Sequence, residues 1–289
     1  MGSSMASNLL SRGFKVHIFN RTEEKARPLI DKGAIFHYTP RELAAVSDLI
    51  MTSLTDHDAV DSVAFGEDGF LEGMRRGSLW IDLSTIDPAS SIRHAEAARK
   101  AEVMRLDTPV VGSRDAALSG TLIVLVGGNE DVYRRAEGFL NEIGKTIIYL
   151  GEDGSGHKMK LAVNQYLALV AVSFSESLTL ARKMGIEGKA FVDTINSTAH
   201  KNYFTEGKGP KIVAGDFEPA FSLDNIFKDL RLVNEQIKQA GATLPLTEMA
   251  IEQYSEAVGA GQGKKDFSVI AMEIQRRNGL GLRGVDIKK

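Results

Sequence analysis

An α/β domain followed by an all-α domain is the fold class that this 289-residue sequence predicts. Two observations carry the prediction. Up to residue 150, short β-branched or apolar runs alternate with amphipathic helical segments; beyond it, helical periodicity takes over and no strand pattern recurs. A stretch marked by Gly151, Gly154 and Gly156 separates the two rhythms, which places the domains at 1–152 and 153–289.

In chain order, residues 1–10 read as the start of a helix. Residues 15–19, 34–37, 49–54, 79–83 and 103–106 are the short apolar runs expected of buried strands, with helical patterns between them at 23–32 and 88–100. Two further runs, 122–126 and 146–150, flank a helical pattern at 130–142 and complete the sheet edge. Such alternation predicts a parallel sheet wrapped by helices. The second domain offers helices at 158–184, 188–197, 223–240 and 246–257, and the glycine-containing, basic residues 279–289 read as a loose tail.

Composition narrows the function classes. Hydrophobic residues at 43% and charged residues at 25% suit a soluble globular protein, and a net charge of −3 gives no electrostatic case for binding nucleic acid. With no cysteine there is no disulfide, thiol catalysis or thiolate metal site. The histidines at 17, 37, 57, 94, 157 and 200 lack ligand spacing, so no metal is expected. Asn164, Gln165, Ser173 and Glu176 interrupt the apolar run that starts at Leu161, which argues against a membrane span. Residues 1–6 lack the charged and apolar regions of a signal peptide, and a cytoplasmic location is expected.

The stretch 154–164, Gly-Ser-Gly-His-Lys-Met-Lys-Leu-Ala-Val-Asn, is the most informative in the chain. A glycine-containing turn leads into a helix on which Lys160 and Asn164, four residues apart, share one face. The residues that follow are apolar nearly all round, so the helix is expected to be buried. An ammonium and an amide entering a buried helix suggest a proton donor and its orienting partner. The competing reading is a solvated lysine beside a helix-start asparagine.

A second pattern begins at Gly2, where the last glycine of a dinucleotide-binding Gly-x-Gly turn would stand before its helix. After the strand at 15–19 comes Asn20-Arg21-Thr22. An NAD site ordinarily carries Asp or Glu there to bind the ribose hydroxyl; an arginine beside a hydroxyl suits a 2′-phosphate instead. Capping of the following helix by Thr22 is the alternative role.

Together these blocks resemble the β-hydroxyacid dehydrogenase family, which includes 3-hydroxyisobutyrate dehydrogenases and glyoxylate/succinic semialdehyde reductases. Residues 1–9 resemble the second half of the family's opening glycine motif. Roughly ten residues, a strand and two glycines among them, are therefore expected upstream of Met1. Leu83-Ser84-Thr85-Ile86 with Pro88 resembles the loop beside the nicotinamide, and Asp107-Thr108-Pro109-Val110-Val111-Gly112-Ser113 the substrate loop, followed by Gly120-Thr121-Leu122. The catalytic motif is matched by Gly154-Ser155-Gly156 with Lys160 and Asn164, and the C-terminal segment by Phe221 and Lys228-Asp229-Leu230-Arg231. The chain departs from the family at Val111, where a serine is usual, and at Leu54-Thr55, where Leu-Pro is common.

The resemblance implies a Rossmann-type N-terminal domain and a helical C-terminal domain that contributes catalytic residues and dimer contacts. It implies catalysis by Lys160 with Asn164, and a cofactor held by Gly2, Asn20, Arg21, Thr22, Leu54, Thr85 and Lys228. It implies a substrate held by Gly112, Ser113, Phe221 and Asp229, although plain core packing for Phe221 and a surface ion pair for Asp229 compete with those roles. The cofactor expected is NADP, with NADPH preferred and NAD possible. Gly112-Ser113-Arg114 leans toward reduction of a small carboxylated aldehyde, glyoxylate or succinic semialdehyde, with 3-hydroxyisobutyrate oxidation as the alternative. A homodimer or homotetramer is expected. Two rivals share the fold, imine reductases and non-catalytic dehydrogenase-like assembly domains; both replace the lysine, so Lys160 argues against each.

Overall fold

The computed structural model describes residues 1–281, which form two compact units, the first ending at Lys160 and the second beginning at Leu161. Eight strands lie in the first unit: β1 (His17–Ile18), β2 (Ile35–Phe36), β3 (Leu49–Thr52), β4 (Leu79–Asp82), β5 (Met104–Asp107), β6 (Val110–Val111), β7 (Leu122–Gly128) and β8 (Gly144–Tyr149). Seven of them fall on the runs expected to be strands. The eighth, β6, lies inside the segment read as a substrate loop.

The sheet differs from expectation in two ways. First, it is mixed rather than parallel. β3, β4 and β5 are parallel neighbours and β8 runs parallel to β7, but β5 and β6 both pair antiparallel with β7. The cause is connection length: only Gly112 to Thr121, with the six-residue helix Arg114–Ser119, joins β6 to β7. That is too short for a parallel crossover. β5 and β6 keep one register along β7, interrupted at Thr108 and Pro109, where proline has no N–H to give the ladder. Second, β1 and β2 pair parallel in a sheet of their own. The split falls between β1 and β3, where a nucleotide-binding unit places its first strand.

Helices flank these strands at Gly2–Ser11, Glu23–Ile30, His57–Phe65, Pro88–Lys100 and Glu130–Ile143. Local sequence explains the boundaries. Pro88 opens its helix behind Asp87, whose side chain accepts the Ser90 N–H, and Asn129 caps its helix through the N–H groups of Asp131 and Val132. Ile81, Leu106, Leu122, Val124, Leu140 and Ile143 fill one core of this unit, and Trp80, Phe70, Val60 and Ile86 another. Each such side chain, fully buried, contributes roughly 1.5–3 kcal/mol relative to exposure.

The second unit is built on the helix Ser155–Lys183, whose first turns belong to the first unit. Ala168, Ala171, Phe174 and Leu178 of this helix pack with Leu223, Ile226 and Leu230 of Leu223–Ala240, with Ala250 and Tyr254 of Pro245–Ala257, and with Ile270 and Ile274 of Ile270–Arg277. The last of these helices was not legible as a separate pattern. Contrary to the reading of its polar interruptions, Ser155–Lys183 is long and apolar enough to cross a membrane by length and composition. Even so, 44% of its most apolar window is buried within the protein. At the C-terminal end Leu280 is buried and its N–H bonds the Gln275 carbonyl, so 279–280 are packed rather than loose. The rest of the expected tail, 282–289, lies outside the described residues.

Candidate active site

The carboxyl ends of parallel strands, where open α/β sheets bind their ligands, carry most of the cofactor candidates. Gly2 opens its helix hard against the residue that follows β3: a Cβ there would lie 3.3 Å from Ser53 Cβ. No side chain caps this helix, so its first N–H groups have only backbone or external partners. Leu54, the next residue, is fixed by donating its N–H to Ser84 Oγ at 3.0 Å, which joins the loops after β3 and β4. Thr85 follows in the same loop, half buried.

Beyond β1, Asn20 Nδ2 donates to the Thr22 carbonyl at 2.6 Å and shapes the turn. Thr22 stands at the N-cap of Glu23–Ile30, yet its hydroxyl makes no capping bond. The arginine between them is exposed and makes no hydrogen bond or ion pair with any described residue. An uncapped helix start, an uncommitted hydroxyl and an unpaired guanidinium fit the phosphate and ribose groups of a dinucleotide.

The substrate candidates on the first unit sit just past β6. Gly112 has φ +146°, and a Cβ on it would lie 2.8 Å from Leu122 Cδ2, so only glycine fits both the backbone and the space. Ser113 caps Arg114–Ser119 by accepting the Ala116 N–H at 3.1 Å, which leaves its hydroxyl proton available to donate.

A buried polar network, mostly missed in the sequence, lies beneath these loops. Asp82, at the end of β4, accepts Thr52 Oγ1 at 2.8 Å and the Ser84 N–H at 3.1 Å, and pairs with Arg105 at 3.0 Å. Arg105 lies over the Trp80 ring at 4.7 Å and also donates to Ser91. Asp107, at the end of β5, accepts the N–H groups of Gly154 and His157 and so caps the Ser155–Lys183 helix from 47 residues away. Burial alone would push both carboxyls up. At Asp82, Arg105, then His157, Ser84 and Thr52, together outweigh it. At Asp107 the His157 hydrogen bond and charge, Arg105 and the Gly154 N–H together outweigh it, so both carboxyls lie below the usual aspartate range. The legible signal was Arg105: a cation in a short strand of a sheet covered on both faces implies a buried partner.

Lys160 is half buried in the second turn of this helix, and Asn164 lies one turn further on. In the second unit Asn164 Nδ2 donates to Asp229 Oδ2 at 2.6 Å. Lys228 Nζ stands 2.8 Å from Asp229 Oδ1, at ion-pair distance but without the alignment of a hydrogen bond. The surface ion pair weighed for Asp229 is corrected: the residue is 2% exposed, because Leu223–Ala240 turns it inward beside Ile226 and Leu230. Phe221 packs edge-on against Phe267, with ring centres 5.9 Å apart, at the margin of the core. Its loop is held by Asp266, which accepts the N–H groups of Ala220 and Phe221 and pairs with Lys208 at 2.7 Å.

Comparison with known proteins gives this geometry its context. Residues 1–151 match the family model for the NAD-binding domain of 6-phosphogluconate dehydrogenase, and residues 154–274 the one described as NAD-binding of NADP-dependent 3-hydroxyisobutyrate dehydrogenase. Among curated proteins, glyoxylate/succinic semialdehyde reductase 2 of Arabidopsis thaliana is 34% identical over 93% of this chain and 75% of its own length. The 2-(hydroxymethyl)glutarate dehydrogenase of Eubacterium barkeri is 32% identical over 98% of this chain and 95% of its own. The solved structure of Mycobacterium tuberculosis 3-hydroxyisobutyrate dehydrogenase with L-serine aligns with a TM-score of 0.85 at 28% identity, covering 95% of this chain and 96% of that one. The chain therefore belongs to the β-hydroxyacid dehydrogenase family and is an NAD(P)-dependent hydroxyacid dehydrogenase.

Proposed function

We propose that this enzyme reduces a short carboxylated aldehyde, of the glyoxylate or succinic semialdehyde class, with NADPH, and that Lys160 is its general acid. The observation that carries the reading is the commitment of Asn164. A carboxylate can only accept, so Asp229 turns the amide to present Nδ2 to it, which leaves a second N–H and Oδ1 for other partners. An amide held in this way orients a reacting oxygen one helical turn from the ammonium that protonates it.

NADPH, when bound, supplies the hydride. Gly2, Asn20, Arg21, Thr22, Leu54, Thr85 and Lys228 are the residues assigned to hold it, with Arg21 favouring the 2′-phosphate over an unphosphorylated ribose. Lys160 gives its proton to the oxygen of the carbonyl as that oxygen gains charge. The backbone N–H groups of Gly112 and Ser113 and the Ser113 hydroxyl hold the substrate carboxylate. Val111 offers no hydroxyl there, which favours a short chain over a polyol. A homodimer or homotetramer belongs to the same proposal, supported by the large exposed apolar side chains of Tyr166 and Leu180 on the helix Ser155–Lys183 and of Met184 just after it.

Steady-state kinetics on a matched pair tests the reading. Succinic semialdehyde should be reduced at least tenfold more efficiently, in kcat/KM, than butanal, because unpaired site donors cost about 1–3 kcal/mol each. Lys160→Ala should lower kcat by about 10²–10⁴ with NADPH binding retained. Equal efficiency on the two aldehydes, or a fully active alanine variant, refutes it. The match of residues 154–274 to a 3-hydroxyisobutyrate dehydrogenase model favours oxidation of that hydroxyacid as the second reading. The same assay run with 3-hydroxyisobutyrate and NADP decides between them.

A further inference from the structure

His157 has no role in the reaction as described, yet it is fully buried and tied to both halves of the site carried by the first unit. Its Nε2 lies 3.1 Å from the Ser84 carbonyl. Because a carbonyl only accepts, Nε2 carries a proton. Its Nδ1 lies 3.1 Å from Ser91 Oγ, which in turn takes a hydrogen bond from Arg105, and 3.5 Å from Asp107 Oδ2. The backbone N–H of His157 is one of the two that Asp107 caps.

The Ser84 backbone is thereby pinned on every polar atom. Its N–H goes to Asp82, its carbonyl to His157, and its hydroxyl accepts the Leu54 N–H. The first turn of Ser155–Lys183 has equally little slack. A Cβ on Gly156 would lie 2.5 Å from the Leu125 carbonyl and 2.7 Å from Asp107 Oδ2, so this turn packs directly on the sheet. One imidazole thus bridges two segments more than 70 residues apart in sequence: the loop that carries Thr85 and the turn that leads to Lys160.

We propose that His157 is a positioning residue, which sets the first helical turn, and with it Lys160, against the Ser84–Thr85 loop. The proposal rests on the assignment of Thr85 to the cofactor and of Lys160 to proton transfer. Without the ring the Ser84 carbonyl loses its donor and the helix start its bond to Ser91, and the lysine loses a fixed distance to the reacting carbonyl. Misplacement on the scale of an ångström costs about 10²-fold in rate.

The test compares His157→Ala with His157→Gln, whose amide N–H can reach the Ser84 carbonyl from nearly the same place. In the alanine variant kcat should fall about 10–100-fold, with NADPH affinity changed much less. The solvent deuterium isotope effect on kcat should rise as proton transfer becomes limiting. Amide hydrogen exchange should quicken both at 84–86 and at 155–160. Glutamine should restore most of the rate and the exchange protection. If alanine fails to fold, Ser91→Ala, which removes the hydroxyl beside Nδ1 and one of the Arg105 hydrogen bonds but keeps the ring on the Ser84 carbonyl, should show the same signature in weaker form. A lowered rate with an unchanged isotope effect and no rescue by glutamine overturns the proposal, as does exchange that quickens in one segment alone. A wild-type chain inactive on carboxylated aldehydes and on 3-hydroxyisobutyrate defeats the functional reading instead. The exchange measurement needs no substrate and still decides whether His157 couples the two segments.

Discussion

Asn164 and Asp229 form a buried hydrogen bond of 2.6 Å across 65 residues of sequence, and this bond connects the 154–164 stretch to the C-terminal Lys-Asp-Leu-Arg block. Two sequence blocks that look independent are therefore one structural unit. A double-mutant cycle on Asn164→Ala and Asp229→Ala should show strong coupling in log(kcat/KM). Hydrogen bonds to charged groups contribute about 1.5–3 kcal/mol, so the double variant should be less impaired than the sum of the singles by about that amount. Additive losses would mean that the two residues act separately. Asp229→Asn should do less harm than alanine, since its amide oxygen can still accept from Asn164 while the charge facing Lys228 is lost.

Much of this architecture was legible because each feature had a local cause. Strand positions follow from short apolar runs, and the Pro88–Lys100 helix from Asp87 and Pro88 at its start. Lys160 and Asn164 stood out by spacing alone. The sheet's mixed direction was less visible, because β6 is only two residues long and hides in a loop-like sequence. Burial of Asp229 was hidden for a different reason: a charged residue beside Lys228 looks solvent-facing until a partner 65 residues away is known. The Asp82, Arg105, Asp107 and His157 network is likewise built from contacts distant in sequence. Only the oddity of Arg105 inside a strand hinted at it.

Gly112 is where backbone and packing restrict the chain most tightly among the substrate candidates. Gly112→Ala should force both an unfavourable φ and a 2.8 Å contact with Leu122 Cδ2. A strained backbone of this kind costs about 1–3 kcal/mol. The expected result is a raised KM for the carboxylated substrate, a lowered melting temperature and little change in NADPH affinity. An alanine variant with wild-type KM would show that the Gly112 and Ser113 N–H groups do not meet the substrate.

Arg21 is the residue on which the choice between NADPH and NADH should turn. It is exposed and unpaired among the described residues, so replacing it disturbs no internal contact. Arg21→Ala should weaken NADPH by about 1.5–3 kcal/mol, the worth of hydrogen bonds to a charged group, and leave NADH nearly unchanged. Melting temperature without cofactor should stay the same. Fluorescence titration with both dinucleotides measures the effect, and an equal loss for the two would remove the 2′-phosphate from the argument.

Acid should unfold the first unit through Asp82 and Asp107. Burial raises both carboxyls, but Arg105 at Asp82 and His157 at Asp107 lead the interactions that outweigh it, so their folded values lie below the ordinary aspartate value. The sign follows from linkage: the unfolded chain takes up these protons first, so the stabilisation is whole above the unfolded value, near 3.9, and is lost as pH falls through the lowered folded values. Stability measured by urea titration should therefore be nearly flat from pH 7 to about 5 as far as these two groups are concerned, and fall steeply below about 4. Asp82→Asn should cost about 3–5 kcal/mol at neutral pH, because it leaves Arg105 buried without a counter-charge. It should also flatten the acid limb, since one of the protonating groups is gone. A variant that loses stability at pH 7 but keeps the wild-type acid slope would show that Asp82 is not one of the groups whose protonation unfolds the sheet.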